Sequence, residues 1–319
     1  MELEELAREV KTLQSRYLNL YAQQDMIEGV KIEKEYLAKR QKLLEEIDTE
    51  IKRERSIKFT AVIERNKRKT KQPKRETGIY SLDRELVTAK EYGLGKVGGF
   101  TLGNFIQFAG ERGAGKSTIL TKMLAAISNG EPIGWFDFEM GEEKAEEMMN
   151  NFDYTAKNIY YYQSSRELSD IVDEIKILAT LGVKHFLVDS MMKIDAKGYK
   201  RGYESFSYIS SEFARLTTNL NINIYLINQM SSESQKTNTL MMKHGNDAEY
   251  DADYIFFVVK KKLKEKDEAG QPKIDDNARI IVCNKNRVDH RTFAVEIPKS
   301  EIFGIKAVEV EYQIDMPTV

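Results

Sequence analysis

The chain has 319 residues, 41% hydrophobic and 31% charged, with a formal net charge of −2. That length and apolar content support one large core plus an appendage or a small second domain, and the near-neutral total excludes a global basic field, leaving nucleic-acid contact to local patches. A single cysteine, Cys283 in the apolar run RIIVC, excludes an internal disulfide framework and a cysteine-rich zinc site, and it reads as a small buried hydrophobe in a reducing cytosol.

The acidic start MELEELAREV lacks a signal-peptide apolar region and no run approaches the length of a membrane span, so a soluble cytoplasmic protein with no membrane contact is expected. Leu3, Leu6, Val10, Leu13, Tyr17 and Leu20 recur three and four residues apart, which predicts a helix with a coiled-coil-like seam. A break is expected near Glu28–Gly29. Ile32, Tyr36, Leu43, Leu44, Ile47 and Ile51 then mark a second helical stretch, so residues 1–55 read as a helical hairpin or two helical arms. The stripe either packs within the chain or binds a partner.

Between Arg65 and Arg75, RNKRKTKQPKR carries Lys67, Arg68, Lys69, Lys71 and Lys74 with no acid, and Pro73 opposes helix. This stretch reads as a basic linker, either solvated or touching nucleic acid, and closes a first region at residue 75. From Thr77 onward apolar strands alternate with amphipathic helices. The strands are FIQFA (105–109), IGWFDF (133–138), HFLVD (185–189), INIYLIN (222–228), YIFFVV (254–259) and RIIVC (279–283), and the helices include 118–127, 140–151, 167–181 and 204–220. The alternation predicts an α/β fold over 76–319, a mostly parallel sheet covered by helices on both faces, with the closely spaced late strands as an antiparallel extension.

Residues 110–118, GERGAGKST, have the spacing of a phosphate-binding loop, between an apolar strand and a helix as that motif requires. Its members are Gly110, Glu111, Arg112, Gly113, Ala114, Gly115, Lys116, Ser117 and Thr118. Glycines let the backbone curl its N–H groups onto phosphate oxygens, Lys116 reaches the β- and γ-phosphates, and Ser117 offers its hydroxyl to Mg²⁺. The expected ligands are therefore ATP and Mg²⁺. Asp189, at the end of the apolar strand HFLVD, is placed to hold the metal. Glu139, just past IGWFDF, is the candidate to activate water, with Asp137 as the competing carboxylate on the same side of the strand.

GERGAGKST, FDFEMG, FLVDSMMKI, INQ and NKNR, in this order over roughly residues 77–297, resemble the RecA superfamily and are most similar to the ATPase domain of DnaB-type hexameric replicative helicases. ETGIYSLDREL (76–86) and GNDAEYDADYIFFVV (245–259) are similar to stretches of the same domain. The resemblance implies Glu139 as the water-activating base and Gln229 as a γ-phosphate sensor. It also implies that Lys285 and Arg287 form a basic pair reaching the neighbouring subunit's ATP. The implied partners are single-stranded DNA, further copies of the chain in a hexameric ring, and a primase or loader protein.

In such a ring DNA is gripped by loops facing the channel. The candidates are 193–206, with Lys193, Lys197, Lys200, Arg201, Tyr199 and Tyr203, and 231–245, with Lys236 and Lys243. Residues 1–75 stand where the family's N-terminal domain and linker helix are expected, so that domain is read as absent or reduced. INQ is also the wording of RecA recombinases, which keeps a strand-pairing filament as the alternative, beside a RecA-fold regulatory or loader ATPase.

Overall fold

Continuous apolar runs become buried strands here, and charged alternating runs become the helices and hairpins around them. The computed structural model describes residues 2–55, 74–86, 98–199, 202–231, 240–242, 250–266, 270 and 272–303. In chain order the first elements are α1 (Glu2–Ala22), α2 (Met26–Arg55), α3 (Tyr80–Glu85), β1 (Phe105–Gly110), α4 (Lys116–Ser128), β2 (Ile133–Asp137), α5 (Glu142–Met149) and β3 (Ile159–Tyr162). They are followed by α6 (Leu168–Thr180), β4 (His185–Asp189), α7 (Tyr203–Leu220), β5 (Asn223–Ile227), β6 (Tyr254–Lys266), β7 (Pro272–Asn286), β8 (Phe293–Pro298) and α8 (Lys299–Phe303). Contacts divide the chain into two units, Met1–Gln72 with Ser169–Val183, and Pro73–Leu168 with Lys184–Val319.

The second unit is built on an eight-stranded sheet in the order β3-β2-β4-β5-β1-β6-β7-β8. Pairing is parallel from β3 through β6 and antiparallel between β6, β7 and β8, as the strand spacing predicts. β1, β2, β4 and β5 are buried along their whole length, the signature of parallel strands covered on both faces. Ile106 and Phe108 share a core cluster with Ile119, Leu120 and Met123 of α4, while the Phe105 ring meets Phe213 of α7 at 6.3 Å.

Two strands escaped the sequence reading. β3 and β8 lie at the sheet edges, are half-exposed, and so lack the continuous apolar run that identified the others. β6 and β7 also run well beyond YIFFVV and RIIVC as a charged two-stranded ribbon, in which Lys261 pairs with Asp275 and Glu296 at 3.1 and 2.8 Å. The helix after the phosphate loop begins at Lys116, two residues earlier than its apolar spacing suggests, because Gly115 caps it in the left-handed region.

In the first unit α1 and α2 form a hairpin. The chain breaks at Gln23–Asp25, not at Glu28–Gly29. Gly29 is instead inside α2, where a Cβ would lie 2.8 Å from the Tyr21 ring, so this glycine admits a close helix approach. The seam is covered within the chain: Ala7, Val10, Leu13, Ile32, Tyr36, Leu43, Leu44 and Ile47 form one buried cluster with Ile177 of α6. Charges reinforce it. Lys11 bonds the buried Glu174, Arg40 lies 3.2 Å from Asp173, and Lys176 lies 2.6 Å from Asp48.

Candidate nucleotide site

Strand register brings the C-terminal ends of the parallel strands level. Asp137 lies opposite Asp189, Val188 opposite Leu226, and Phe108 opposite Ile227. Whatever follows each strand therefore shares one edge: the glycine loop after β1, Glu139 after β2, Ser190 after β4 and Gln229 after β5. In open α/β sheets this carboxyl edge is where ligands bind.

The loop is shaped by two different uses of glycine. A Cβ on Gly110 would sit 2.4 Å from the Val258 carbonyl oxygen on β6, whereas Gly113 and Gly115 have φ of +72° and +88°. Together they turn the chain so that the N-terminus of α4, with its unpaired N–H groups and positive dipole end, faces the loop's hollow. Ala114 is buried in the core, while Arg112 is exposed. Lys116 Nζ donates to the Gly110 and Glu111 carbonyls at 3.1 and 3.0 Å. Burial lowers its pKa, against the opposing charges of Asp189, Glu139 and Glu111.

Asp189 is buried at the end of β4, and its Oδ2 accepts the Ser117 hydroxyl at 2.6 Å. Its Oδ1 is buried with no hydrogen-bond partner among the described residues. Burial pushes the Asp189 pKa up to about 7, with the Ser117 bond and Lys116 opposing and the Glu139 and Asp137 charges adding to the rise. A buried carboxylate oxygen awaiting a partner, beside a serine hydroxyl, is a hard-oxygen donor set that fits Mg²⁺. No group of three His, Cys, Asp or Glu side chains among the described residues could hold a metal by itself, so such an ion completes its shell with phosphate and water oxygens.

Asp137 and Glu139 differ sharply in environment. Asp137 is fully buried and saturated: it accepts the N–H groups of Glu139, Met140 and Gly141 at 2.9, 3.0 and 3.1 Å and the Tyr161 hydroxyl at 2.8 Å. Its work is to shape the turn that carries Glu139. Glu139 is exposed, its Oε1 accepts the Ser190 hydroxyl at 2.5 Å, and its charge is felt at both Lys116 and Asp189. Gln229 is exposed beside the loop, where the next residue's N–H, that of Met230, bonds the Gly110 carbonyl at 3.2 Å.

Lys285 and Arg287 are not brought to this edge. Lys285 lies opposite Ile255, and the Arg287 N–H bonds the carbonyl of Asp253, a residue whose own N–H bonds the Phe105 carbonyl at the start of β1. Both side chains donate to the Tyr250 carbonyl. Five strand steps separate Phe105 from Gly110, roughly 16 Å at about 3.3 Å per residue, more than twice the reach of an arginine side chain.

Of the expected DNA-contacting residues, Lys193 is half-buried in the turn after β4 and Lys197 is exposed beyond it. Tyr199 stacks on Tyr208 with ring centroids 4.6 Å apart. Lys200, Arg201, Lys236 and Lys243 lie outside the described residues, as does the basic linker through Pro73.

Sequence reasoning missed three features. A cavity of about 320 Å³ adjoins the loop, walled by Gly113, Thr118, Ile119, Arg279, Lys299 and Phe303, and is large enough for a nucleoside. Lys260 places its ammonium 3.8 Å from the Cβ position of Gly113. Ser190 bonds Glu139. Only Ser190 carried a local signal, its adjacency to Asp189; the others depend on late strands folding back beside the loop.

Sheet order and edge chemistry together define a phosphate-loop protein with the RecA-like α/β fold. Two solved structures share it. One is the ATPase domain of a DnaB-like helicase, which aligns with a TM-score of 0.57 and 15% identity, covering 76% of this chain and 95% of that one. A KaiC-like protein from the hyperthermophilic archaeon Pyrococcus horikoshii OT3 aligns with a TM-score of 0.51 and 14% identity, covering 70% and 93%. No protein-family model matches the sequence, and no curated protein does. No helix among the described residues is long and apolar enough to cross a membrane.

Proposed function

We propose that the chain is an ATP-hydrolysing DNA helicase of the DnaB-like type, a hexameric ring motor that translocates on single-stranded DNA in cytoplasmic DNA replication. Residues 76–319 are its ATPase domain and residues 1–75 a helical arm with a basic linker, to which a primase or loader binds. The observation that carries this reading is the division of parts between two sheet edges. Lys116, Ser117, Glu139, Asp189 and Gln229 share the loop's edge, whereas Lys285 and Arg287 lie too far away to serve the same nucleotide. A basic pair held at the opposite edge is placed to complete a neighbour's site.

On nucleotide binding, Lys116 exchanges the Gly110 and Glu111 carbonyls for phosphate oxygens, and the loop N–H groups cradle the same charge. Ser117 and Asp189 would hold Mg²⁺, which when bound neutralises charge on the β- and γ-phosphates. Glu139 takes the proton of the attacking water, Gln229 senses the γ-phosphate, and Arg287 with Lys285 of the next subunit stabilises the transition state. The nucleoside lies in the cavity between α4, β7 and α8. Lys193, Lys197, Lys200, Arg201, Lys236 and Lys243 track DNA phosphates.

The likeness to a KaiC-like protein favours a second reading, a RecA-fold ATPase that regulates or loads other proteins. ATP turnover with and without single-stranded DNA, strand displacement on a forked duplex, and electron microscopy with an ATP analogue distinguish them. The helicase reading expects DNA-stimulated turnover lost in Lys116→Ala, unwinding, and closed rings. Turnover indifferent to DNA, with no unwinding on any fork, overturns it in favour of the regulator, and continuous filaments with strand exchange overturn it in favour of a recombinase.

A further inference from the structure

Resting on the reading of Glu139 as the base, we propose that Ser190 is the residue that positions it for catalysis. A glutamate on a turn at the sheet edge is a free rotor unless something holds its carboxylate. Glu139 is anchored twice. Its backbone N–H bonds Asp137, and its Oε1 accepts the Ser190 hydroxyl at 2.5 Å, within the range of short, charge-assisted O–H···O⁻ bonds. Ser190 is 1% exposed, so it is a fixed donor and not a mobile surface hydroxyl.

The two loops are also tied through the main chain, with the Phe138 N–H bonding the Asp189 carbonyl at 2.7 Å. Adjacent residues at the end of β4 thus grip the two halves of the site: Asp189 takes Ser117 of the phosphate loop, and Ser190 takes Glu139. One carboxylate oxygen is bound by Ser190, and Oε2 is left to accept the proton of water. Orientation of this kind acts on the reacting geometry and leaves nucleotide affinity alone, because Ser190 does not belong to the phosphate loop.

The test compares Ser190→Ala, Ser190→Thr, Glu139→Gln and the double variant Ser190→Ala/Glu139→Gln. Each is assayed for steady-state ATP turnover and for affinity toward a non-hydrolysable ATP analogue. Ser190→Ala is expected to lower kcat roughly 100-fold, the cost of a misplaced reacting group, with analogue affinity unchanged within about twofold. Ser190→Thr, which keeps the hydroxyl, should recover most of the loss, and the double variant should be no slower than Glu139→Gln alone.

Wild-type kcat in Ser190→Ala, beside an inactive Glu139→Gln, overturns the proposal and leaves the base in place. A parallel loss of analogue affinity, or a threonine variant as slow as the alanine one, also overturns it by making the role structural. Wild-type turnover in Glu139→Gln overturns the reading beneath it. If Ser190→Ala does not fold, Ser190→Cys, a weaker donor, must give an intermediate kcat, and a cysteine variant at the wild-type rate overturns the proposal.

Discussion

Replacing Gly110 by alanine tests whether the phosphate loop is held by strand spacing. The new Cβ would lie 2.4 Å from the Val258 carbonyl oxygen, where ordinary contact begins at 3.4 Å, so β1 and β6 must part by 3.4 − 2.4 = 1.0 Å. The displaced atoms are backbone on both sides and cannot swing away. Gly110 also carries two acceptor contacts, from the Met230 N–H at 3.2 Å and from Lys116 Nζ at 3.1 Å, and both move with it. Overpacking of this kind costs about 1–3 kcal/mol, and the shifted lysine weakens nucleotide binding as well. Gly115→Ala is the contrast: no atom lies within 4 Å of its Cβ position, and only its φ of +88° resists, at a similar cost of about 1–2 kcal/mol. Asparagine separates the two, since it tolerates the left-handed region but is larger than alanine. Urea unfolding with a fluorescent-nucleotide titration should show Gly115→Asn milder than Gly115→Ala, and Gly110→Asn worse than Gly110→Ala. A Gly110→Ala protein within about 0.5 kcal/mol of wild type, or rescue by asparagine at position 110, would refute the spacing argument.

Three further outcomes are expected. Arg287→Ala should bind nucleotide but lose turnover by up to roughly 10³-fold, and mixing it with Lys116→Ala subunits should restore part of the activity; no recovery in co-assembled rings rejects action between subunits. Burial, with the Arg75 charge adding to it, lowers the His185 pKa to about 3, so the unfolded chain takes up that proton first. Its contribution to stability is full above pH 6.5 and is lost on acidification towards pH 3, at up to about 1.4 kcal/mol per pH unit, and His185→Gln should flatten that slope in denaturation at pH 7, 6 and 5. Lys11→Met should destabilise the helical unit by about 1–3 kcal/mol, because it strands the buried Glu174 carboxylate; thermal melting unchanged in this variant would mean that Glu174 finds another partner.

Much of the site is legible in the sequence because its signals are local. The loop's glycines, Lys116 and Ser117 act within one turn of chain, and the apolar runs ending at Gly110, Asp137 and Asp189 declare buried parallel strands whose ends carry function. β3 and β8 stayed hidden because an edge strand is covered on too little of its surface to need an apolar run. The helical seam announced that Leu13 and Ile47 would be buried but not by what, since amphipathic periodicity is the same whether the covering face belongs to α6 or to another molecule. Asp137 and Glu139 are both acidic and two residues apart, so local pattern could not divide their roles. The fold does so by closing three N–H groups and a tyrosine hydroxyl onto Asp137 while turning Glu139 out to Ser190. The spacing of Lys285 and Arg287 likewise said nothing of distance from the loop. The antiparallel return of β7 carries them to the far end of the sheet, because a strand that reverses direction places its C-terminal residues where its neighbours begin.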